Sequence, residues 1–270
     1  MGIDGSQGSS AYIGHMRRDV TEIRSFYASP LGQTAARLIG ARLSDAWGPL
    51  TGQDVLGLGY AAPWLEEMRE ARRAVCAMPH GQGAEAWPRA ARCRTTLVED
   101  EALPFGTGVF DRIVAVHAIE EATDPLALVR ELGRVLKPSG RLVLVVAGRG
   151  GLWARSENTP FGDGRPYSRS QLERLVRDAE LEPFAWSQAL FGPPWERLAG
   201  AADLMEAWGS RLVPGAAGVV LLEAVKVQLA LRSRPVAAPA RARRSKGLTP
   251  QPAGLTPTRR TDVEIPDERD

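Results

Sequence analysis

Residues 103–146 read LPFGTGVFDRIVAVHAIEEATDPLALVRELGRVLKPSGRLVLVV and decide the fold. Residues 111–117 are an apolar run of strand length, and from Pro125 to Leu136 apolar residues recur at helical spacing. Pro138-Ser139-Gly140 ends that helix, and a second apolar run follows at 141–147. A strand, a helix and another strand in this order predict a βαβ unit of a parallel sheet.

The same alternation continues on both sides of this unit. Apolar runs of strand length predict further strands at 54–59, 73–78, 94–98, 184–187 and 219–227. Helical spacing with start and stop signals predicts helices at 33–46, 63–72 and 169–179. The strands between residues 54 and 147 are apolar on both faces, so helices must cover both sides of the sheet. We therefore predict a doubly wound, Rossmann-like α/β fold.

The composition excludes several classes of protein. A chain of 270 residues with 44% hydrophobic residues can bury a large core without disulfides or a structural metal. Cys76 and Cys93 form no CxxC pair, and the three histidines show no ligand spacing with them, so we expect no metal site. No apolar run approaches the roughly 18–20 residues of a membrane span, and no signal peptide is visible. The expected location is cytoplasmic.

The charge is distributed unevenly along the chain. Residues 232–260 carry eight basic residues and no acidic one, whereas residues 1–231 have a net charge of −2. We expect 233–270 to be a disordered basic, Pro-rich tail, because it has too few apolar residues to form a core. Such a tail could attract nucleic acid, an acidic partner or anionic lipid. We expect 1–15 to be a disordered leader or cloning remnant, and 16–232 to be one domain with a helical insertion at 191–214.

Two motifs in the opening stretch carry a family resemblance. Leu103-Pro104-Phe105 with Phe110-Asp111, followed in register by the RVLKPSG segment at 134–140, resembles class I S-adenosylmethionine (SAM)-dependent methyltransferases of type 11. The resemblance extends over about residues 50–187. It implies SAM as the cofactor and a seven-stranded, mostly parallel sheet with an antiparallel edge strand formed by the last segments.

The resemblance also implies which residues hold the cofactor. Ligands of doubly wound sheets bind beyond the carboxyl ends of the strands. Residues 55–63, VLGLGYAAP, align with the family's glycine loop, although Gly57 replaces an acidic residue and Ala61 and Pro63 replace glycines. Met78 stands where a ribose-binding carboxylate is expected, and Trp87 would cover the adenine. The cofactor-binding residues implied are Gly57, Gly59, Tyr60, Met78, Glu99 and Asp100.

The remaining candidates follow the fourth and fifth strands. His117 ends the fourth strand and is our candidate for the catalytic base, since its ordinary pKa lies near neutrality. A loop of about twenty residues follows the fifth strand, and loops of that length in compact domains are usually functional. Its arginines could bind a carboxylate or phosphate. With the N-terminal segment, this loop supplies the predicted substrate-binding residues Tyr27, Arg149, Trp153, Arg155, Arg165 and Tyr167.

These observations predict an enzyme that transfers a methyl group from SAM to a small molecule with an anionic or aromatic part. The altered glycine loop leaves a second hypothesis open, a non-catalytic binding or regulatory protein that has lost SAM. A third is an RNA methyltransferase that uses the tail at 232–260 for phosphate contacts, although no NPPY-like motif follows the fourth strand. A hydrolase is excluded because no G-x-S-x-G motif is present.

Overall fold

The computed structural model describes residues 17–227. Seven strands form one sheet in the order β3-β2-β1-β4-β5-β7-β6. The strands are β1 (Asp54–Gly59), β2 (Arg73–Pro79), β3 (Thr95–Val98), β4 (Phe110–Val116), β5 (Leu136–Ala147), β6 (Glu182–Ala189) and β7 (Val219–Val225). The expectations for 1–15 and 233–270 lie outside the described residues.

The sheet confirms the predicted seven-stranded, mostly parallel arrangement. Strands β1 to β5 pair in parallel, and β7 runs antiparallel to both β5 and β6. The antiparallel strand is therefore inserted between β5 and the edge strand β6. Because β1 to β5 run the same way, their carboxyl ends meet at one edge of the sheet, where doubly wound folds bind ligands.

Six α-helices accompany the sheet in the described residues. They are α1 (Val20–Ala28), α2 (Pro30–Trp47), α3 (Ala62–Leu65), α4 (Pro125–Val135), α5 (Arg169–Asp178) and α6 (Ala202–Leu212). Side chains of Ser29, Asp124 and Ser168 cap the amino ends of α2, α4 and α5, which lie where the sequence predicts them. The predicted insertion at 191–214 contains a 3₁₀ helix at Glu196–Ala201 followed by α6.

The helix predicted at 63–72 is wrong, because α3 ends at Leu65. Trp64 and Leu65 are buried, whereas Glu66 and Glu67 are exposed, so apolar packing holds only the first turn. A helix rises only about 1.5 Å per residue against about 3.3 Å for a strand. Turns over the remaining residues return the chain to the start of β2 within a short connection.

Helices cover both faces of the sheet, as the apolar strands predict. Val55 of β1 belongs to a core with α1, α2 and α3, whereas its neighbour Leu56 belongs to a second core with α4 and α5. Alternation along a strand sends successive side chains to opposite faces, so one apolar run supplies both cores. Packing α1 and α2 against the sheet also brings residues 17–30 to the carboxyl ends of the strands.

The charged residues of the two quoted motifs, together with Glu131, stabilise the fold at the amino ends of β1 and β4, opposite the ligand-binding ends. Asp111 Oδ2 accepts hydrogen bonds from the Asp54 amide and from Lys137 Nζ, each at 2.8 Å. Glu131 Oε1 accepts from the Leu103 amide at 2.8 Å and pairs with Arg134. These contacts join the loop before β4 to α4 and β1, so the motif residues hold the fold rather than a ligand.

We predict that Gly59 is the more restrictive of two left-handed glycines. Gly52 (φ +76°) has open space where a Cβ would lie, whereas a Cβ on Gly59 (φ +75°) would overlap the Val116 carbonyl. Gly52→Ala should cost about 1–2 kcal/mol of unfolding free energy, from the backbone conformation alone. Gly59→Ala should cost at least about 2 kcal/mol more. Urea unfolding of both variants measures the difference, and equal losses would contradict the assignment.

Candidate functional site

The candidate site is the crevice at the carboxyl ends of β1, β2, β3 and β4. The turn after β1 begins at Gly59, where the Tyr60 amide donates a hydrogen bond to the Val116 carbonyl of β4 at 2.9 Å. A 3₁₀ helix, His80–Gln82, follows β2, and Glu99 and Asp100 follow β3. The sheet therefore brings the predicted cofactor-binding residues to neighbouring strand ends.

Neither predicted glycine leaves open space for a ligand. A Cβ on Gly57 would lie 2.6 Å from Ala61 Cβ and 2.7 Å from Leu65 Cδ1, and one on Gly59 would overlap the β4 backbone. Both positions need glycine because neighbouring parts of the chain approach them too closely to leave room for a side chain. Tyr60 is buried, and the buried Met78 points its sulfur at the Glu85 amide, 3.4 Å away.

An aromatic cluster fills the space above the β1 turn. The rings of Tyr27 and Tyr60 stack at 5.5 Å between centroids with 9° between their planes. The Tyr27 hydroxyl lies 2.8 Å from His117 Nε2, and the His117 ring lies 4.6 Å from that of Phe161. We use the name aromatic cluster for Phe26, Tyr27, Tyr60, Trp64, His117, Trp153 and Phe161.

Burial controls the charge state of the groups in this cluster. His117 is 1% exposed, and burial, with a smaller effect of the nearby Arg18 cation, lowers its pKa to about 3. Burial also raises the pKa of Tyr27 well above its ordinary value. Near neutral pH both groups are therefore uncharged, and the Tyr27 hydroxyl can donate a hydrogen bond to the unprotonated Nε2 of His117.

The opposite end of the crevice, beyond β2 and β3, is open and polar. It contains a cavity of about 640 Å³ whose lining includes Arg17, His80, Glu99 and Asp100. The Arg17 guanidinium pairs with the Asp100 carboxylate and approaches the Ala118 carbonyl at 3.4 Å. Burial raises the pKa of Asp100, and the Arg17 charge opposes that shift. This arginine therefore holds the segment before α1 over the crevice.

Several buried polar atoms of Arg17, Asp100 and the connection between β2 and β3 have no hydrogen-bond partner within the described part of the chain. Gln82 is 1% exposed, and neither its oxygen nor its nitrogen is paired. Asp100 Oδ1, Arg17 Nη1 and the indole nitrogen of Trp87 are also without a partner. Unpaired buried polar atoms are rare in folded proteins, so these atoms are free to form hydrogen bonds with a bound molecule. Sequence reasoning identified Asp100 and Trp87 but missed Gln82 and Arg17.

A third missed residue, Glu120, lies between the ends of β4 and β5. Its Oε1 accepts a hydrogen bond from the Ala147 amide at 3.0 Å, and Oε2 has no partner among residues 17–227. Burial raises the pKa of Glu120 to about 7, the range in which a carboxyl group can exchange protons at neutral pH. The signal in the sequence is its position three residues after His117, just beyond the end of the fourth strand.

The predicted substrate-binding residues divide into two groups. Tyr27 and Trp153 are buried in the aromatic cluster, and Trp153 Nε1 also donates to the Gly192 carbonyl at 2.8 Å. Tyr167 is half-buried, its carbonyl accepting from the Arg149 amide at 3.1 Å. The arginines of the loop are exposed, and within residues 17–227 no carboxylate lies within ion-pair distance of Arg149, Arg155 or Arg165.

This fold and the position of the crevice define a class of protein. The strand order, with an antiparallel β7 between β5 and β6, is that of class I SAM-dependent methyltransferases. Residues 54–144 match the family described as a methyltransferase domain. The sequence resemblance is therefore confirmed: residues 54–144 are similar to methyltransferase domains, and the sheet has the class I methyltransferase fold.

Relatives in sequence share only part of their length with this chain. An uncharacterized protein of Mycobacterium tuberculosis is 32% identical over 114 residues, which cover 38% of this chain and 40% of that protein. An uncharacterized protein of Mycobacterium bovis matches to the same extent. The match thus spans less than half the length of these curated relatives.

Solved structures with the same fold are methyltransferases. A SAM-dependent methyltransferase of Thermotoga maritima superposes with a TM-score of 0.57 at 19% identity, covering 77% of this chain and 95% of that one. A methyltransferase bound to the Haloferax volcanii activator Trm112 gives 0.56 at 19% identity, covering 78% and 99%. Geranyl diphosphate C-methyltransferase of Streptomyces coelicolor gives 0.52 at 20% identity, covering 70% and 75%. At these identities the likeness shows the fold.

We predict that His117 makes folding stability depend on pH. As the pH falls below 6.5 the unfolded chain protonates His117, whereas the folded protein keeps it neutral down to about pH 3. Relative to His117→Gln, the wild type should lose about 2–3 kcal/mol between pH 6.5 and 4.5. Denaturant unfolding at several pH values measures this difference. The matched control His80→Gln, at an exposed position, should keep the wild-type pH dependence, and identical curves for all three proteins would contradict the burial of His117.

Proposed function

We propose that this protein transfers a methyl group from SAM to a small molecule that carries an anionic or aromatic part. The observation that carries the proposal is the match of residues 54–144 to a methyltransferase domain, because that segment supplies β1 to β4 and most of β5. The carboxyl ends of those strands form the crevice described above. SAM supplies an electrophilic methyl group on a sulfonium, so the protein mainly has to position two reactants.

The polar end of the crevice fits the adenosine part of the cofactor. Glu99 and Asp100 offer carboxylate oxygens, and Gln82 offers a buried donor and acceptor that lack partners among residues 17–227. Ring nitrogens and ribose hydroxyls are groups that such side chains can bind. We propose that these three residues hold the adenosine and that Trp87, buried after β2, lies beside it.

The aromatic end of the crevice fits the methionine part less well in this conformation. The stacked rings of Tyr27 and Tyr60 occupy the space above the turn, and Met78 replaces a polar contact at the end of β2. Gly57 and Gly59 bring the backbone there, but their missing side chains open no cavity. We propose that cofactor binding requires Tyr27 and Tyr60 to move away from the turn.

The loop after β5 is proposed to bind the acceptor. Arg149, Arg155 and Arg165 are exposed cations without a carboxylate partner in the described residues, so a carboxylate or phosphate can bind to them without breaking an ion pair. Tyr167 follows Arg165 by two residues, its carbonyl accepts a hydrogen bond from the Arg149 amide, and its ring can contact an aromatic part of the acceptor. Tyr27 and Trp153, both buried in the aromatic cluster, are proposed to line the apolar side.

Two groups can receive the proton that an acceptor hydroxyl or amine loses. His117 remains our proposed base, although in the conformation described above its Nε2 contacts the Tyr27 hydroxyl and its pKa is far below neutrality. Movement of Tyr27 would both free that nitrogen and reduce the burial that lowers the pKa. Glu120 is the alternative, since its unpaired Oε2 and a pKa of about 7 suit proton exchange near neutral pH.

A non-catalytic binding protein on the same fold is the second candidate. The observation that favours it is the filled methionine end, where Tyr27 and Tyr60 stack over a turn that lacks the family's acidic residue. No observation in residues 17–227 favours the third hypothesis, an RNA methyltransferase. Binding of the cofactor distinguishes the first two candidates, because a protein that has lost SAM will not bind it.

We predict that the purified protein binds SAM and S-adenosylhomocysteine with micromolar affinity. Glu99→Gln and Asp100→Asn should each weaken binding by about tenfold, since each removes a charge-assisted hydrogen bond. Isothermal titration calorimetry with both nucleosides measures the affinities.

The matched control is Glu66→Gln, which alters an exposed carboxylate directly after α3, and it should bind as the wild type does. Absence of binding up to millimolar nucleoside would overturn the proposal and favour the non-catalytic candidate. Equal losses in Glu66→Gln and Asp100→Asn would contradict the position of the adenosine site.

A further inference from the structure

Helix α6 exposes an apolar stripe. Leu204, Trp208 and Leu212 are spaced four residues apart, so they lie on one side of the helix, and they are 63%, 57% and 70% exposed. Trp195 and Val213, which flank the helix in sequence, are each more than half exposed. Contiguous exposed apolar patches of this kind mark surfaces that bind a partner or a membrane. We use the name α6 surface for these five residues.

Contacts on its inner side fix the helix in this orientation. Glu206 is buried and accepts hydrogen bonds from Arg42 Nη2 at 3.4 Å and from the Phe191 amide at 3.2 Å. Gly209 lies so close to Phe191 that a Cβ would overlap the ring, and Met205 packs against Gly192. The helix thus turns its carboxylate inward and its large apolar residues outward, the reverse of an ordinary surface helix.

The charges near the α6 surface suit an anionic partner. The acidic residues of α6 are paired, Asp203 with Arg37 and Glu206 with Arg42. Two exposed arginines, Arg197 and Arg211, lie beside the stripe, with one exposed carboxylate, Glu196. Further along the chain, residues 232–260 carry eight basic residues and no acidic one. Tryptophan and leucine on one face, with arginines beside them, are typical of helices that lie in a membrane interface.

We propose that the α6 surface docks on an anionic phospholipid bilayer. Stable membrane binding usually requires two signals, such as a buried apolar group and a polybasic segment. The α6 surface supplies the first signal and the basic segment at 232–260 supplies the second, since each basic residue near an anionic surface adds attraction. Within residues 17–227 no helix is long and apolar enough to cross a bilayer, so docking is at the surface.

The position of the α6 surface indicates what docking would accomplish. Trp195 and Arg197 also line a cavity of about 750 Å³, together with Phe26 of the aromatic cluster and Asn158 of the β5 loop. This cavity opens beside the α6 surface, next to the proposed acceptor site. If the proposed function holds, the bilayer would present an amphiphilic acceptor, with its anionic group at the arginines and its apolar part in the cavity.

Vesicle sedimentation of the full chain without cofactor tests the docking. Vesicles of phosphatidylcholine with 30% phosphatidylglycerol should bind the wild type, and pure phosphatidylcholine should bind at least tenfold less. The triple variant L204Q/W208Q/L212Q and the charge reversal R241E/R243E/R244E should each weaken binding by about tenfold or more. The matched control is Leu97→Gln, which alters a half-exposed leucine on strand β3 and should bind normally.

Several results would overturn the proposal. These are no binding to anionic vesicles, binding that the triple variant leaves unchanged, and a dimer of the wild type that the triple variant abolishes, which would assign the surface to a second copy. Quenching of tryptophan fluorescence by brominated lipid provides an independent check on the folded protein. Trp208→Phe should reduce that quenching, and no quenching of the wild type would contradict insertion. None of these measurements requires SAM, so their failure is distinct from failure of the proposed function.

Discussion

The hydrogen bond from the Tyr60 amide to the Val116 carbonyl is the contact on which the site depends. It joins the ends of β1 and β4, and it requires a left-handed glycine at position 59 because a side chain there would overlap β4. The same close approach leaves His117 with a φ of 50° immediately after β4. Tyr60 and His117 therefore leave their strands at neighbouring points, and Tyr27 of α1 contacts both.

Electrostatics divides the crevice into two ends with different properties. At the aromatic end, burial keeps Tyr27 and His117 neutral, so their hydrogen bond needs no counter-ion. At the polar end, burial raises the pKa of Asp100, and it raises the pKa of Glu121 to about 7. The positive charge of Arg17 opposes both shifts. The open polar end therefore matches the adenosine part proposed for it. The uncharged aromatic end does not match the charged methionine part of SAM while Tyr27 and Tyr60 are stacked there, in keeping with the proposed movement of those two residues.

The sequence predicts the sheet well because the relevant signals are local. Apolar runs locate six of the seven strands to within two residues at each end, whereas β5 begins five residues before its apolar run. Ser168 and Asp124 mark helix starts through their own backbone contacts. The contacts that shape the site are not local: Tyr27 reaches His117 across 90 residues and Arg17 reaches Asp100 across 83. No spacing rule reveals such pairs. The prediction of a helix over 63–72 is wrong because helix propensity does not indicate where the buried face of a helix ends, here at Leu65.

The central claim is that a SAM-type ligand binds at the ends of β2 and β3, and hydrogen–deuterium exchange with S-adenosylhomocysteine tests it most directly. Amide exchange in residues 80–83 and 98–102 should become slower when the nucleoside is added. The edge strand β6, on the opposite side of the sheet, should not change. Unchanged exchange throughout residues 17–227, or protection confined to β6, would contradict the claim.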